Sequence, residues 1–287
     1  MSNPRQRKQR LQGGAFGRGA ARPGAKPRGL PDPEPESLVN NENGSISRFA
    51  GQQMGVAGGQ SLTYEDPNID RRAPTEYELI EDKGTYVISE KPSGPAIIEL
   101  YPDFLSEDEA LGIFNSLCSA LPWSQKINKK DDFTFMEPRL TVWYGDIRYK
   151  YSGVTQEATK SWHPVLEDLR ERITKKTGLK FNSMLGNLYR DGHDSVAWHS
   201  DNEYSLGTNP TIASLSFGET RAFQLRKNPE NFEDTYEFTD KKQINLTNGC
   251  LLLMKGAVQE DWQHRVPKEY HDRRMRINLT FRTIYSE

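Results

Sequence analysis

At 287 residues the chain is long enough for one large domain or two small ones, but eight of its 38 basic residues and none of its 40 acidic ones fall in the first 30. The formal charge of −2 therefore hides a basic arm on an acidic body. Two cysteines, Cys118 and Cys250, are too few for a disulfide framework, and no apolar run approaches a membrane span or follows the basic N-terminus, so an intracellular, soluble chain without a membrane partner is expected.

In chain order, residues 1–62 are rich in Gly, Pro, Gln and Asn and lack apolar periodicity, which predicts a disordered basic arm. Arg5-Gln-Arg7-Lys8-Gln-Arg10 within it reads as a nuclear-import signal, a phosphate-binding patch or a plain solvated tail. Residues 63–160 form an N-terminal extension, with the folded body starting between Tyr64 and Tyr86 and a first strand over Ala96–Tyr101. Ser106-Glu-Asp-Glu109 reads as a reciprocal capping box opening a helix that runs to about Leu121, with Leu111, Phe114, Leu117, Cys118 and Leu121 on its buried face. A second helix opens at His163-Pro164 and stops before Gly178; its stripe is Val165, Leu166, Leu169 and Ile173. After Gly178, short runs rich in Ile, Val, Phe, Thr and Tyr predict strands at Lys180–Arg190, Ser195–His199, Thr211–Phe217, Arg221–Arg226, Lys242–Asn245, Cys250–Met254 and Arg274–Tyr285. Two helices followed by many short strands predict an α+β fold: a double-sheet jelly roll over residues 161–287, with supporting helices on one side.

Five histidines can be weighed singly. His163 precedes a helix-opening proline, and His193 and His271 lie in polar turns. His199 and Asp201 end a predicted strand two positions apart, so their side chains share a face. Two imidazoles and a carboxylate are the ligand set that holds non-haem Fe(II) on one triangular face. His-x-Asp is common by itself; the third ligand must come from elsewhere, and His264 in Asp261-Trp-Gln-His-Arg-Val-Pro267 meets that need. Arg276-Ile-Asn-Leu-Thr-Phe-Arg282 alternates strictly, so Arg276, Asn278, Thr280 and Arg282 share one face. That face is either an ordinary solvated one or a row of donors for a dicarboxylate, since a guanidinium binds a carboxylate through two parallel hydrogen bonds. Asn187 and Tyr189 share a face of another predicted strand.

His199-Ser-Asp201, His264-Arg-Val-Pro, Arg276-x-Asn278-x-Thr280-x-Arg282 and Asn187-Leu-Tyr189 together resemble the AlkB family of Fe(II)/2-oxoglutarate nucleic-acid demethylases, over about residues 75–287. The resemblance implies a double-stranded β-helix fold with an N-terminal substrate-recognition lid. It implies that His199, Asp201 and His264 bind Fe(II), and that Asn187, Tyr189, Arg276, Asn278 and Arg282 hold 2-oxoglutarate, with O2 as co-substrate. Tyr151 is similar to the family's base-stacking aromatic and Arg139 to a lid arginine, with Tyr149 beside them among Trp143, Tyr144, Arg148 and Lys150. Glu203 is the candidate acid beside a cationic methylated base, although Asn202 stands where close relatives carry an acid. The implied activity is oxidative demethylation of 1-methyladenine and 3-methylcytosine in single-stranded DNA and RNA, releasing formaldehyde, succinate and CO2. Implied too are a monomer in nucleus and cytoplasm and a helicase complex that supplies single strands. The competing readings are an AlkB-like dioxygenase acting on tRNA or protein, and a catalytically silent jelly roll that binds nucleic acid or a partner.

Overall fold

Ala96-Ile-Ile-Glu-Leu-Tyr101 alternates buried and half-buried residues along its length, the pattern of a strand with one face in a core. The computed structural model describes residues 73–130, 133–151, 154–159, 161–231 and 235–285, with two short strands before them. Those two, β1 (Met54–Gly55) and β2 (Ser61–Leu62), pair antiparallel within a unit spanning Met1–Ile69. The rest of the arm expected over residues 1–62 lies outside the described residues.

The second unit, Asp70–Glu287, carries β3 (Tyr77–Leu79), β4 (Gly84–Ser89), β5 (Ala96–Tyr101), α1 (Glu107–Ala120), β6 (Ile127–Lys130), β7 (Phe133–Met136), β8 (Leu140–Gly145), β9 (Tyr149–Tyr151) and β10 (Val154–Gln156). It continues with α2 (Pro164–Thr177), β11 (Ser183–Tyr189), β12 (Val196–His199), β13 (Ile212–Gly218), β14 (Arg221–Lys227), β15 (Lys241–Leu246), β16 (Leu251–Gly256), α3 (Val258–Asp261), β17 (Trp262–Val266) and β18 (Arg276–Arg282). One sheet has the order β4-β5-β16-β13-β18-β11-β8 and the other β12-β17-β14-β15-β3. From β11 to β18 the chain passes back and forth between these two sheets, which is the double-sheet jelly roll that the sequence predicts. Strands from both sides of residue 160, the expected domain boundary, bond within the same sheets: β8, β5 and β4 extend the larger one and β3 the smaller.

Two apolar clusters place the layers. Leu117 of α1 and Leu166, Leu169 and Ile173 of α2 pack with Ile277, Leu279 and Phe281 on the outer face of the larger sheet. The second cluster joins residues of both sheets, among them Leu252 and Met254 with Leu225, Ile244 and Trp262, and so fills the interior. Each helix buries one stripe, as its spacing predicts, with one change of phase: Leu111 is 51% exposed, and Ala110 takes the buried place beside Phe114 and Leu117.

Ser106 caps α1, its hydroxyl accepting from the Glu109 amide at 3.4 Å, but the box is not reciprocal. The Glu109 carboxylate instead accepts from Arg172 of α2, a charge-assisted bond that outcompetes a neutral amide. His163 caps α2 by accepting from the Val165 amide, and Gly178 ends it with φ 73°. Trp143 and Tyr144, expected in an aromatic lid, belong to β8: Tyr144 packs against Trp162 at 6.0 Å between ring centroids, and Trp143 against Leu206 and Ile284. Among the described residues no helix is long and apolar enough to cross a membrane.

Candidate metal centre and binding cavity

His264 lies within β17 rather than after a strand, and β17 pairs with the edge strand β12 so that His199 stands directly opposite His264. Antiparallel pairing thus brings together two residues 65 positions apart, with ring centroids 4.2 Å apart. Asp201 follows just beyond β12, its carboxylate oxygen Oδ1 3.8 Å from His199 Nε2. One ligand atom from each of the three lies within 4.8 Å of the others, the only such metal-ready group among the described residues.

The protonation states suit a cation. His199 Nδ1 sits 2.9 Å from the Ala197 carbonyl, which can only accept, so Nδ1 donates there and Nε2 is the nitrogen turned toward Asp201. Burial, reinforced by the neighbouring His199, pushes His264 down to about 3, so it is a neutral imidazole with both ring nitrogens in a buried site. Burial alone would raise the Asp201 carboxyl, but the charge and hydrogen bonds of the Arg282 guanidinium oppose it, and the carboxyl is held well below the usual carboxylate range. Arg282 donates to Asp201 Oδ2 from Nη2 at 2.6 Å and from Nε at 3.2 Å, and the Asp201 amide donates to Gln259 Oε1 at 2.9 Å. Asp201 is therefore fixed from one side with Oδ1 left toward the histidines. An ionised carboxylate and two imidazole rings converging on one point are a donor set that fits Fe(II).

These residues line a cavity between the two sheets. Its floor is the polar face of β18, and the whole strand is buried, so the solvated-face alternative is excluded. Register on the neighbouring β11 sets Asn187 opposite Asn278 and Tyr189 opposite Arg276, so the two polar faces read separately from sequence form one surface. Arg276 is 1% exposed; its Nη2 donates to Ser216 Oγ at 2.9 Å, its guanidinium carbon lies 5.1 Å from the centre of the Tyr189 ring, and its Nε and Nη1 have no hydrogen-bond partner. Buried guanidinium N–H groups without acceptors are costly, and a carboxylate entering the cavity would satisfy both.

The remaining expected cavity residues differ in availability. Asn187 Oδ1 accepts from Arg139 Nε at 2.8 Å, which leaves its amide N–H groups for a ligand. Asn278 already donates to Ser214 Oγ at 2.7 Å and accepts from Thr280, so it braces β18 against β13. Arg282 serves Asp201. Arg139 lines both the cavity and the groove outside it, its Nη2 pairing with the buried Glu137 at 3.2 Å. Glu203 lines the groove outside the cavity with His199; burial and then Asp201 raise its carboxyl, and its buried Oε2 has no hydrogen-bond partner. Tyr149 and Tyr151 form β9, and their side chains lie outside the described residues.

Sequence reasoning missed Arg221. It is 1% exposed at the start of β14 and donates to the carbonyls of Asp191 at 3.1 Å, Asp194 at 3.1 Å and Pro267 at 2.6 Å, and to Glu269 Oε1 at 3.2 Å. These acceptors belong to the turn before β12 and the segment after β17, the two strands that carry the histidines. The Glu269 amide also donates to the Gly192 carbonyl at 2.8 Å.

The sequence pattern of the 2OG-Fe(II) oxygenase superfamily matches residues 98–282. The alpha-ketoglutarate-dependent dioxygenase alkB homolog 3 of Homo sapiens is 49% identical over 230 residues, covering 79% of this chain and 80% of that one. Its counterpart in Bos taurus is 45% identical over 264 residues, 92% of each chain. The DNA oxidative demethylase ALKBH2 of Bos taurus is 37% identical over 149 residues, 51% of this chain and 53% of that one.

Proposed function

The chain belongs to the 2OG-Fe(II) oxygenase superfamily and within it to the AlkB homolog 3 group, and from that premise we propose that it demethylates 1-methyladenine and 3-methylcytosine in single-stranded DNA and RNA. It is a 2-oxoglutarate-dependent dioxygenase that uses Fe(II), and its relatives named as DNA oxidative demethylases support a nucleic-acid substrate. The observation that carries the reading is the convergence of His199, Asp201 and His264 within 4.8 Å, in the same cavity as the unsatisfied N–H groups of Arg276.

In this reading His199, Asp201 and His264 hold Fe(II), and Arg276 takes one carboxylate of 2-oxoglutarate, with Asn187 and Tyr189 beside it. Arg282 and Asn278 act through hydrogen bonds to Asp201 and Thr280 that keep the ligand and the cavity floor in place. When bound, the iron with 2-oxoglutarate and O2 supplies the oxidant: 2-oxoglutarate becomes succinate and CO2, one oxygen atom enters the N-methyl group, and the hydroxymethyl product loses formaldehyde. The protein positions the methyl group and keeps water out. Both target bases are cationic, and Glu203 on the groove lining supplies a carboxylate that favours them over their neutral parents. Extruding a base costs least when the strand is already single. Tyr151, Tyr149 and Arg139 are assigned to that nucleotide by resemblance, as are the monomeric state, the nuclear and cytoplasmic location and a helicase complex as supplier of single strands.

Incubation with Fe(II), 2-oxoglutarate, ascorbate and single-stranded oligonucleotides bearing 1-methyladenine or 3-methylcytosine, read by mass spectrometry, tests this directly. Loss of the methyl group is expected from the native chain and not from His199→Ala. No turnover by the native chain on either nucleic acid refutes the function; equal turnover by the variant refutes the site.

A further inference from the structure

The groove outside the cavity has a lining of two characters. One part is the end of β7, where Phe135 and Met136 are exposed; the other is the end of β17 and the loop beyond it, with Arg265 and Lys268, and Trp198 of β12 beside them. His199 lies between, at the entrance to the metal group. Among the described residues, Arg265 and Lys268 have no carboxylate within salt-bridge distance, whereas Arg139, Arg190, Arg221, Arg273 and Arg282 each have one. Arg265 and Lys268 thus place two cations three positions apart on one side of the groove, which Glu137 and Glu203 also line.

Arg265 is also held in place. It alternates with His264, so it projects to the outer side of β17 while the histidine projects inward. Its guanidinium carbon lies 4.4 Å from the centre of the Trp198 ring, and its Nε donates to Gln224 Oε1 at 2.8 Å. Those interactions use the face and one edge of the guanidinium and leave both Nη groups without a hydrogen-bond partner among the described residues. A planar fork fixed on an aromatic face suits a phosphate, because little side-chain entropy is lost on binding. Lys268 is exposed beyond Pro267, 5.4 Å from the centre of the Tyr270 ring, and adds a point charge on the same side.

We propose that Arg265 and Lys268 form a phosphate-binding rail: they bind the phosphodiester backbone of the single strand beside the nucleotide that enters the cavity, and so hold the strand along the groove. The proposal rests on the single-stranded nucleic-acid reading above. Bonds to the backbone carry no sequence information, so the rail gives affinity and position without base preference.

The test is binding of unmethylated single-stranded oligonucleotides, by fluorescence anisotropy across a salt series, to the native chain, Arg265→Gln, Lys268→Gln and the double variant. Removing one phosphate-neutralising cation from a single-strand site lowers the slope of log affinity against log salt by about 0.7, which at 0.1 M salt is about a fivefold loss of affinity. Each single variant is expected to show that change and the double variant about twice the slope change. 2-Oxoglutarate affinity should stay at its native value, since the donors of the cavity floor, Arg276 and Asn187, lie on the other sheet. Lys175→Gln, in the last turn of α2, should change nothing. Lys268 is exposed, so its variant folds whatever Arg265→Gln does. Native salt slopes in both single variants, from a chain that demethylates oligonucleotides, overturn the rail alone; a native chain with no turnover and no affinity overturns the functional reading with it.

Discussion

Replacing Arg221 by methionine, which keeps the aliphatic stem and removes the guanidinium, strips hydrogen bonds from the carbonyls of Asp191, Asp194 and Pro267 and the ion pair from Glu269. Arg221 has a side-chain exposure of 0% and Glu269 13%, so the carboxylate left behind is poorly hydrated. Removing one partner of a buried pair costs about 3–5 kcal/mol, and because Arg273 still pairs with Glu269 the loss falls at the lower end, about 3 kcal/mol. At about 2–4 °C per kcal/mol for a unit of this size, the melting temperature should fall by about 6–12 °C. The loss should also reach the metal. Arg221 ties the turn before β12 to the segment after β17, and β12 is an edge strand whose register to β17 shifts between Val196 and His199, so this tie helps to fix the two histidines relative to each other. Supports of this kind change metal affinity by about 10–100-fold. Thermal unfolding of the metal-free protein and a Co(II) titration followed by its visible absorption measure both quantities. A variant that melts within about 2 °C of the native chain, less than one kcal/mol for a unit of this size, or binds Co(II) with native affinity, refutes the reasoning.

Three further outcomes rest on the same geometry. Arg282→Gln leaves Asp201 buried without its cation, so the metal-free protein should lose about 3–5 kcal/mol, and saturating Co(II) should restore part of it by binding only the folded state, read as a larger metal-induced rise in melting temperature than in the native chain. Arg276→Lys replaces a fork by a point charge; the KM for 2-oxoglutarate should rise at least tenfold while oligonucleotide affinity stays unchanged, and an unchanged KM would show that the dicarboxylate does not meet this residue. Burial would raise the Asp194 carboxyl, but hydrogen bonds from Arg190 and the charges of Arg190 and Arg221 hold it below its ordinary value. A depressed folded value stabilises the protein above the unfolded value and ceases to do so as pH falls through the folded one, so Asp194→Asn should be less stable than the native chain at pH 7 and the gap in urea unfolding should close below about pH 4; a gap that persists at pH 2 contradicts the ion-pair origin.

What could be read from the sequence depended on whether a residue's neighbours in space were also its neighbours along a strand. β18 was legible because its apolar and polar positions alternate without a break, and the two sets face different buried layers, Ile277, Leu279 and Phe281 toward the helices and Arg276 and Asn278 toward the cavity. β6 and β7 were not, because their exposed residues, Ile127, Phe135 and Met136, form no buried pattern that marks a strand. The phase error at Leu111 has a similar root: the leucine fits the helical period, but the sheet beneath accepts the small Ala110, and only packing decides between adjacent positions. The Arg282–Asp201 bond spans 81 positions and leaves no local trace, so the hold of Arg282 on the metal ligand could not be read from the sequence.

Arg221 is the instructive omission, because its signal was present. Arg221, Phe223 and Leu225 share one face of a strand that alternates buried and half-buried residues, so a cation occupies a position in phase with the core. A charged residue in that phase either ends the strand early or has buried partners waiting for it. The same criterion singles out His264, in phase with Trp262 and Val266 on β17. Each is a polar group in a buried register, and each meets its partners across a sheet or a loop: His264 meets His199 across the β12–β17 ladder, and Arg221 meets the turns that fix the ends of those two strands. Phase violation along a strand therefore marks both the ligand and the residue that holds it, and spacing alone separates them only when the ligand chemistry is already known.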